Sequence, residues 1–360
     1  MLSPRAAVLR MSEYHPPLSG RDGLRLDFNE NTSGCSPRVL AELAKITAEQ
    51  LTRYPERASV ERIVADKLQV APDQLLLTNG VDEAIHLLCE TYLELADEAL
   101  IVVPTFGMYA LYVQQTGAQL RAVQANEDFS FPLERVLDAI TPSMRFIAFA
   151  SPNNPTGAVV PQDALERVLL AAPEAAVLVD EAYFDFYGVT MLPLLGKYSN
   201  LFIARTFSKA YGLAGLRAGV LVGPAQQLSY LRKVSSPYNV NGIALSCLQA
   251  AMEDEKYVSD YVSQIHQGRR RLEGALEKYE LHYWPSHANF ILLRIGPLHR
   301  EFVSAMLRRK ILVRDRDRDP GCAGCVRITI GTPPQMDLLL AALPECLEEI
   351  GWPATLERAQ

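Results

Sequence analysis

Long apolar runs are missing from this chain of 360 residues. Its apolar stretches fall well short of the roughly 18 residues that cross a bilayer, so no membrane partner is expected. The Ala-Ala-Val-Leu between Arg5 and Arg10 is too short for the core of a secretory leader, and a cytoplasmic protein is expected. Positive charge is not in excess: 35 Lys and Arg stand against 42 Asp and Glu, a net charge of −7. Such a chain has no global attraction for nucleic acid or anionic lipid, and no helix-turn-helix is read before residue 25. Cysteine is scarce, six in all, which is no disulfide framework. Cys322 and Cys325 form a lone C-x-x-C with no second pair or paired histidines to complete a zinc site. They read as an incidental pair in a reducing cytosol, with redox or metal work as the alternative. The glycines at 212, 215, 219 and 223 lack the G-x-G-x-x-G order of a dinucleotide fingerprint. G-x-S-x-G and H-E-x-x-H are also absent, which removes the hydrolase elbow and the zinc-protease helix.

What is present is ordinary for a globular protein: 49% hydrophobic and 21% charged residues. At about 150 residues per domain the length predicts roughly two domains. Residues 1–25, with Pro4, Pro16, Pro17 and Gly20, read as an irregular arm attached to the smaller domain. From Pro37 onward, helical faces such as Val60, Ile63, Val64 and Leu68 alternate with short continuous apolar runs. Those runs are Leu75–Leu77, Ala99–Val103, Arg145–Ala150, Ala176–Val179, Leu201–Ala204 and Ala218–Val222. Strands apolar on both faces are covered by helices on both sides, so an α/β fold with a mostly parallel sheet is expected over 26–245. Past residue 245 a polar helical stretch (Glu253–Lys278) and strands at Ala288–Ile295, Ile311–Val313 and Val326–Ile330 predict a smaller α+β domain. The alternating Arg314–Asp319 reads as a solvated loop.

Ligands of open α/β sheets bind beyond the carboxyl ends of the strands. There the sequence places Thr78-Asn-Gly-Val-Asp-Glu83, Ser151-Pro-Asn-Asn-Pro-Thr-Gly157, Asp180-Glu-Ala-Tyr183 and Thr206-Phe-Ser-Lys209-Ala-Tyr-Gly-Leu-Ala-Gly-Leu-Arg217. Gly80 at a strand-to-helix turn lets backbone N–H groups approach an anion, or serves a plain turn with Asp82 as cap. Asn153 and Asn154 offer amides that both donate and accept. Asp180 ends a buried strand, which is costly without a cation or donors to meet it, while Glu181 points to the opposite face. Lys209 suits covalent capture of a carbonyl if desolvated, with Thr206, Ser208 and Arg217 holding a phosphate nearby. The same segment also reads as a surface lysine among tight turns.

Together, SPNNPTG, DEAYFDF and TFSKAYGLAGLRAG, in this order and spacing, resemble the fold-type I pyridoxal-phosphate enzymes of the class I/II aminotransferase family, over about Asp27 to Thr332. Within that family, NEN at 29–31, RYPE at 53–56, PTFGMY at 104–109, PYNVN at 237–241 and VRITIGT at 326–332 are most similar to the branch acting on histidinol phosphate. The resemblance implies pyridoxal 5'-phosphate, bound covalently by Lys209, which also moves the proton at the substrate carbon. It implies that Asp180 pairs with the pyridine nitrogen, that Asn154 and Tyr183 meet the ring's 3' oxygen, and that Phe106 stacks on the ring. Thr206, Ser208, Arg217 and the amides of Val81 and Asp82 are the implied phosphate cradle. Tyr54 is implied to reach a partner's site across a homodimer interface. Arg327 is implied to grip a substrate carboxylate and Arg314 a substrate phosphate, with Tyr14 and Asn31 as further substrate contacts. Three segments depart from the family pattern: Phe106 replaces tyrosine, NENTSGCSP replaces NENPxGPSP, and GVDE replaces GSDE or GADE. Aromatic-amino-acid transamination and threonine-phosphate decarboxylation are the alternatives within the same superfamily.

Overall fold

The buried apolar runs form the strands of one central sheet in a computed structural model that describes residues 2–13 and 20–352. In chain order the strands are β1 (Leu24–Arg25), β2 (Leu75–Thr78), β3 (Glu98–Val103), β4 (Gln119–Gln124), β5 (Met144–Ala150), β6 (Ala176–Asp180), β7 (Leu201–Thr206), β8 (Gly219–Val222), β9 (His282–Tyr283), β10 (Phe290–Arg294), β11 (Ile311–Leu312), β12 (Arg314–Asp315) and β13 (Cys325–Thr329). Seven of them make the large sheet in the order β2-β8-β7-β6-β5-β3-β4. Only β8 runs against its neighbours; the other pairings are parallel. This is the mostly parallel α/β sheet that the sequence predicts.

Side chains alternate along each strand, and the two faces build separate cores. Leu77, Val177, Val179, Ile203 and Val220 point to one face. Leu76, Leu178, Phe202, Ala204 and Leu221 point to the other. Each such Leu, Val, Ile or Phe side chain, fully buried, contributes about 1.5–3 kcal/mol. Helix Gly80–Tyr92 covers the second face, and helices Ala58–Leu68, Gln162–Ala171 and Gly242–Met252 cover the first.

A third core belongs to the carboxyl-terminal part. There, β12-β13-β10-β9 form an antiparallel sheet. Helices Glu255–Lys278, His299–Arg308 and Pro333–Glu349 pack on it through Ile265, Leu272, Phe302, Met306, Leu339 and Leu343. The cores change hands after Met252, not at 245. Ala244, Leu245, Leu248 and Met252 of helix Gly242–Met252 pack with the large sheet. Asn241 caps that helix by accepting the Ala244 N–H at 2.8 Å, and Asp254 caps the next. The pair of caps, more than composition, marks the joint.

Two further expectations need correcting, and one strand was not read at all. The arm does not lie wholly on the smaller part: β1 pairs parallel with β11, but helix Ala6–Leu9 packs on helix Met108–Thr116, where Arg5 donates to the Gln115 carbonyl at 3.0 Å. Strand β4 escaped the apolar-run reading because it is a sheet edge, its residues Gln119, Arg121, Ala122 and Gln124 exposed. Arg314–Asp319 is no solvated loop. Arg314 and Asp315 form β12, whose alternation turns Arg314 and Arg316 toward a cavity and leaves Asp315 exposed. Among the described residues no helix is long and apolar enough to cross a membrane.

Candidate active site

A cavity of about 370 Å³ opens where the carboxyl ends of β2, β5, β6 and β7 face the small-sheet strands β12 and β13. It gathers most of the residues singled out from the sequence: Val81, Asp82, Phe106, Asn154, Asp180, Tyr183, Thr206, Ser208, Lys209, Arg217, Arg314 and Arg327.

At its floor, Asp180 ends the fully buried β6. Its Oδ2 accepts from the Tyr109 hydroxyl at 2.6 Å and its Oδ1 from the Ala182 N–H at 2.9 Å. Burial nevertheless pushes its pKa up to about 6, because these donors offset only part of the lost hydration. Lys209 follows β7, and its Nζ donates to the Phe28 carbonyl at 3.1 Å. Desolvation, helped by the nearby Arg327 charge, lowers its pKa to about 8. The surface-lysine alternative is thereby removed: this amine is held at the cavity wall. The Tyr183 hydroxyl accepts from Asn29 Nδ2 at 2.9 Å, and burial raises its pKa. Phe106 meets the Tyr109 ring edge-on, with centroids 5.9 Å apart.

One end of the cavity is built to receive an anion. Helix Gly80–Tyr92 begins there, and its N-cap Asn79 makes no side-chain bond to the first-turn N–H groups at the positive end. Arg217, at φ +54°, brings its Nη2 to 2.8 Å from the Asp82 carboxylate. Gly80 takes φ +76°, which L side chains rarely adopt, and a Cβ there would sit 2.6 Å from that nitrogen and push the guanidinium off the helix start. Gly219 is excluded from bearing a side chain in the same way, its Cβ falling 2.7 Å from the Gly80 carbonyl carbon. Thr206 Oγ1 accepts the Ser208 N–H at 3.1 Å, while the buried Ser208 Oγ has no partner.

The opposite end is cationic. Register pairs Arg314 directly with Arg327 across β12 and β13, and Arg316 lies two residues further on the same face. Arg327, 5% exposed, donates to Asn154 Oδ1 and to the Asp27 carbonyl, and its Nε is buried without a partner. Desolvation pulls its pKa down to about 9, with the neighbouring Arg316 and Arg314 charges adding to the shift. Arg314 lies 5.4 Å from the Phe28 ring centroid and has no carboxylate at ion-pair distance among the described residues. Arg316 pairs with Asp319, and Asp27 is already engaged by Arg21 at 2.7 Å.

Two expected residues are placed elsewhere, and a third falls outside the described residues. Asn31 turns away, donating to the Ala210 carbonyl at 2.9 Å, because the turn at Asn29 (φ +57°) aims residue 29 inward instead. Tyr54 is 79% exposed and stacks on Tyr238 with ring centroids 4.3 Å apart, outside this chain's cavity. Tyr14 lies outside the described residues. The two asparagines of the 151–157 loop divide their work: Asn153 bonds Pro104, Thr105 and Thr156, while Asn154 faces the cavity. Sequence reasoning missed Asn29, Tyr109, Arg316 and Asp319. The first two sit inside the NEN and PTFGMY segments; the period-2 alternation could have signalled Arg316, on the face of Arg314, but not Asp319, which a turn (Asp319 N–H to the Arg316 carbonyl, 3.0 Å) brings back to Arg316. Cys322 and Cys325 are buried against Phe129 and Trp284. Their backbone N–H groups bond the Asp319 and Cys322 carbonyls at 2.9 Å each, which builds the turn that positions Asp319.

A lysine, an aspartate and an anion cradle at the strand ends of a large α/β domain, closed by arginines of a smaller one, define a class of group-transfer enzyme. Residues 21–343 match the model of the aminotransferase class I and II family, and the chain belongs to that family. The histidinol-phosphate aminotransferase of Caldanaerobacter subterraneus is 34% identical over 337 residues, covering 90% of this chain and 93% of that one. Histidinol-phosphate aminotransferase 1 of Trichormus variabilis is 35% identical over 349 residues, covering 95% and 98%. In fold, the chain is similar to the crystal structure of histidinol-phosphate aminotransferase from Sinorhizobium meliloti in complex with pyridoxal-5'-phosphate. The TM-score is 0.86 at 23% identity, over 96% of this chain and 97% of that one.

Proposed function

We propose that this chain is a pyridoxal-phosphate-dependent aminotransferase that moves an amino group between L-glutamate/2-oxoglutarate and histidinol phosphate/imidazole-acetol phosphate, a reaction of histidine biosynthesis in the cytoplasm. The residues present fit the cofactor. The orphaned Ser208 Oγ, Arg217 and the start of helix Gly80–Tyr92 would hold its phosphate, in a cradle that a Cβ at position 80 would fill. When bound, pyridoxal phosphate supplies a reactive carbonyl carbon and a ring that takes up the electron pair left when a substrate carbon loses its proton.

The chain's own groups do the rest. Lys209 Nζ would bind the cofactor and then carry the proton at the substrate carbon, for which a pKa lowered to about 8 keeps a usable fraction of free amine at neutral pH. Asp180, fixed by Tyr109 and the Ala182 N–H, would hold a proton on the ring nitrogen. Tyr183 and Asn154 would meet the 3' oxygen, and Phe106 would cover the ring. Arg327 would orient the α-carboxylate of glutamate; its planar fork suits that contact.

The observation that carries the substrate assignment is the Arg314–Arg327 cross-strand pair. Like charges directly opposite each other on a sheet destabilise it unless an anion lies between them. Counting Arg314, Arg316 and Arg327 against Asp319, two positive charges are uncompensated at this end. That complements a phosphate monoester near pH 7, whose charge is about −1.5 to −2. An aromatic side chain would leave the charges unmatched. Histidinol phosphate has no α-carboxylate, so Arg327 would turn to the phosphate in that half-reaction.

We further propose a homodimer in which Tyr54 reaches the partner's cofactor phosphate, a role supported by its exposure in the single chain. The deciding experiment mixes cofactor-loaded enzyme separately with histidinol phosphate, phenylalanine and threonine phosphate and follows the cofactor's absorption. Conversion to the amine form at the lowest concentration with histidinol phosphate, reversed by 2-oxoglutarate, supports the assignment. Better conversion with phenylalanine would select an aromatic aminotransferase, and carbon dioxide release from threonine phosphate a decarboxylase.

A further inference from the structure

We propose that Arg316 is a third guanidinium contact for the substrate phosphate, and that Asp319 is its counter-charge, so that this pair sets the preference for phosphate-bearing substrates over glutamate. The inference rests on the phosphate reading above and deepens it.

Arg316 is not part of the arginine pair that the sequence resemblance singles out, and its placement comes from register. Arg314 pairs with Arg327, and the Arg316 N–H bonds the Cys325 carbonyl at 2.9 Å. The strand pairing therefore continues one step past β12 and keeps Arg316 on the face that carries Arg314 and Arg327. Its side chain lines the cavity, and its Nε is buried with no partner. A guanidinium has five N–H donors, and Asp319 engages it through Nη2. Donors remain for a second anion.

A carboxylate beside a phosphate subsite repels its ligand, so the presence of Asp319 calls for a reason. Without it, three guanidinium groups would share one cavity end with no counter-ion, which low solvent access makes expensive. With it, the resting site carries two uncompensated charges instead of three. The turn that holds Asp319 is fixed by the Cys322 N–H on its carbonyl, so the acid stays in place when ligand arrives. Affinity for a dianion is thus held below what the three arginines would give, and glutamate, with a singly charged distal group, competes in the same pocket. Removing Asp319 and removing Arg316 should act in opposite directions.

The test uses the cofactor-loaded enzyme, with three variants and two readouts. Half-reaction KM and kcat are measured for histidinol phosphate and for glutamate, and binding of inorganic phosphate is measured by calorimetry. For Arg316→Gln the expected result is a histidinol phosphate KM raised about tenfold, at least several-fold more than the glutamate KM, with a parallel loss of phosphate binding. Arg316→Lys should recover part of both. For Asp319→Asn, phosphate should bind several-fold more tightly and the preference for histidinol phosphate over glutamate should rise. If Arg316→Gln changes phosphate binding by less than about twofold, or raises both KM values equally, the proposal is overturned. If Asp319→Asn weakens phosphate binding, Asp319 is a loop anchor and the counter-charge role fails. Should the wild-type enzyme not respond to histidinol phosphate at all, the substrate reading itself has failed, and that outcome is seen before any variant is made.

Discussion

The two ends of the cavity are built on opposite plans. The cofactor end stands on the carboxyl termini of strands buried on both faces, and its polar groups hold one another: Tyr109 on Asp180, Asn29 on Tyr183, Arg217 on Asp82. The substrate end stands on a two-residue strand and a turn, and its three guanidinium groups have one carboxylate among them. A preorganised end suits chemistry that is the same for every substrate, since fixed dipoles cost no reorganisation during reaction. An end with unmatched charge suits recognition, because the missing partner arrives with the ligand. Rigidity is thus concentrated around Asp180, Tyr183 and Arg217, and unmatched charge at Arg314, Arg316 and Arg327.

Among substitutions, the largest effect belongs to the rigid end. Lys209→Ala should lower transamination by about 10⁴-fold or more, since it removes both the covalent anchor and the proton carrier. Loss of the bound cofactor's absorption, read alongside turnover, checks the first role; near-normal turnover would refute the assignment.

At the recognition end, Arg314→Ala should raise the KM for histidinol phosphate about 10- to 100-fold, the worth of a hydrogen bond to a charged group. The loss should be clearly greater for histidinol phosphate than for glutamate. An equal loss in both half-reactions would make Arg314 part of the scaffold.

The pH dependence sharpens the rigid end further. Lys209 titrates near 8 in place of 10.5 because burial disfavours its cation. The free amine is the reactive form, so cofactor capture by cofactor-free protein should rise about tenfold per pH unit up to about 8 and level above it. A midpoint near 10 in stopped-flow absorption would mean a solvated amine. Tyr54→Phe should have the smallest effect, a cofactor affinity lowered about 3- to 10-fold, as for one neutral hydrogen bond. In hybrids of this variant with inactive Lys209→Ala subunits, a shared site regains normal cofactor affinity because the Lys209→Ala subunit supplies Tyr54, whereas an independent site stays weakened.

Most of the cofactor end was legible in the sequence because its residues follow directly from strands that announce themselves. Leu75–Leu77, Ala176–Val179 and Leu201–Ala204 are continuous apolar runs, and the polar residues immediately after them fall at the ligand-binding edge of the sheet. What was not legible depends on turns. Asn29 and Asn31 flank the same glutamate, and only the positive φ at Asn29 decides which one faces the cavity. Tyr109 lies on a helix whose face could not be assigned from period alone, and its hydroxyl reaches Asp180 across 71 positions of sequence.

The α/β sheet and the strand-end position of Lys209, Asp180 and Arg217, which line the cavity, follow from the sequence because buried strands need apolar runs and ligand loops follow their carboxyl ends. The sequence also carried the alternation Arg314-Asp-Arg-Asp-Arg-Asp319, which composition alone could not distinguish from a solvated surface loop. The pairing of β12 with β13, in a register that sets Arg314 opposite Arg327, is a property of the folded chain alone. The physical reason is that strand pairing is a long-range choice: a slip of one residue would turn Arg314 and Arg316 outward and Asp315 inward, and reverse the charge of the site.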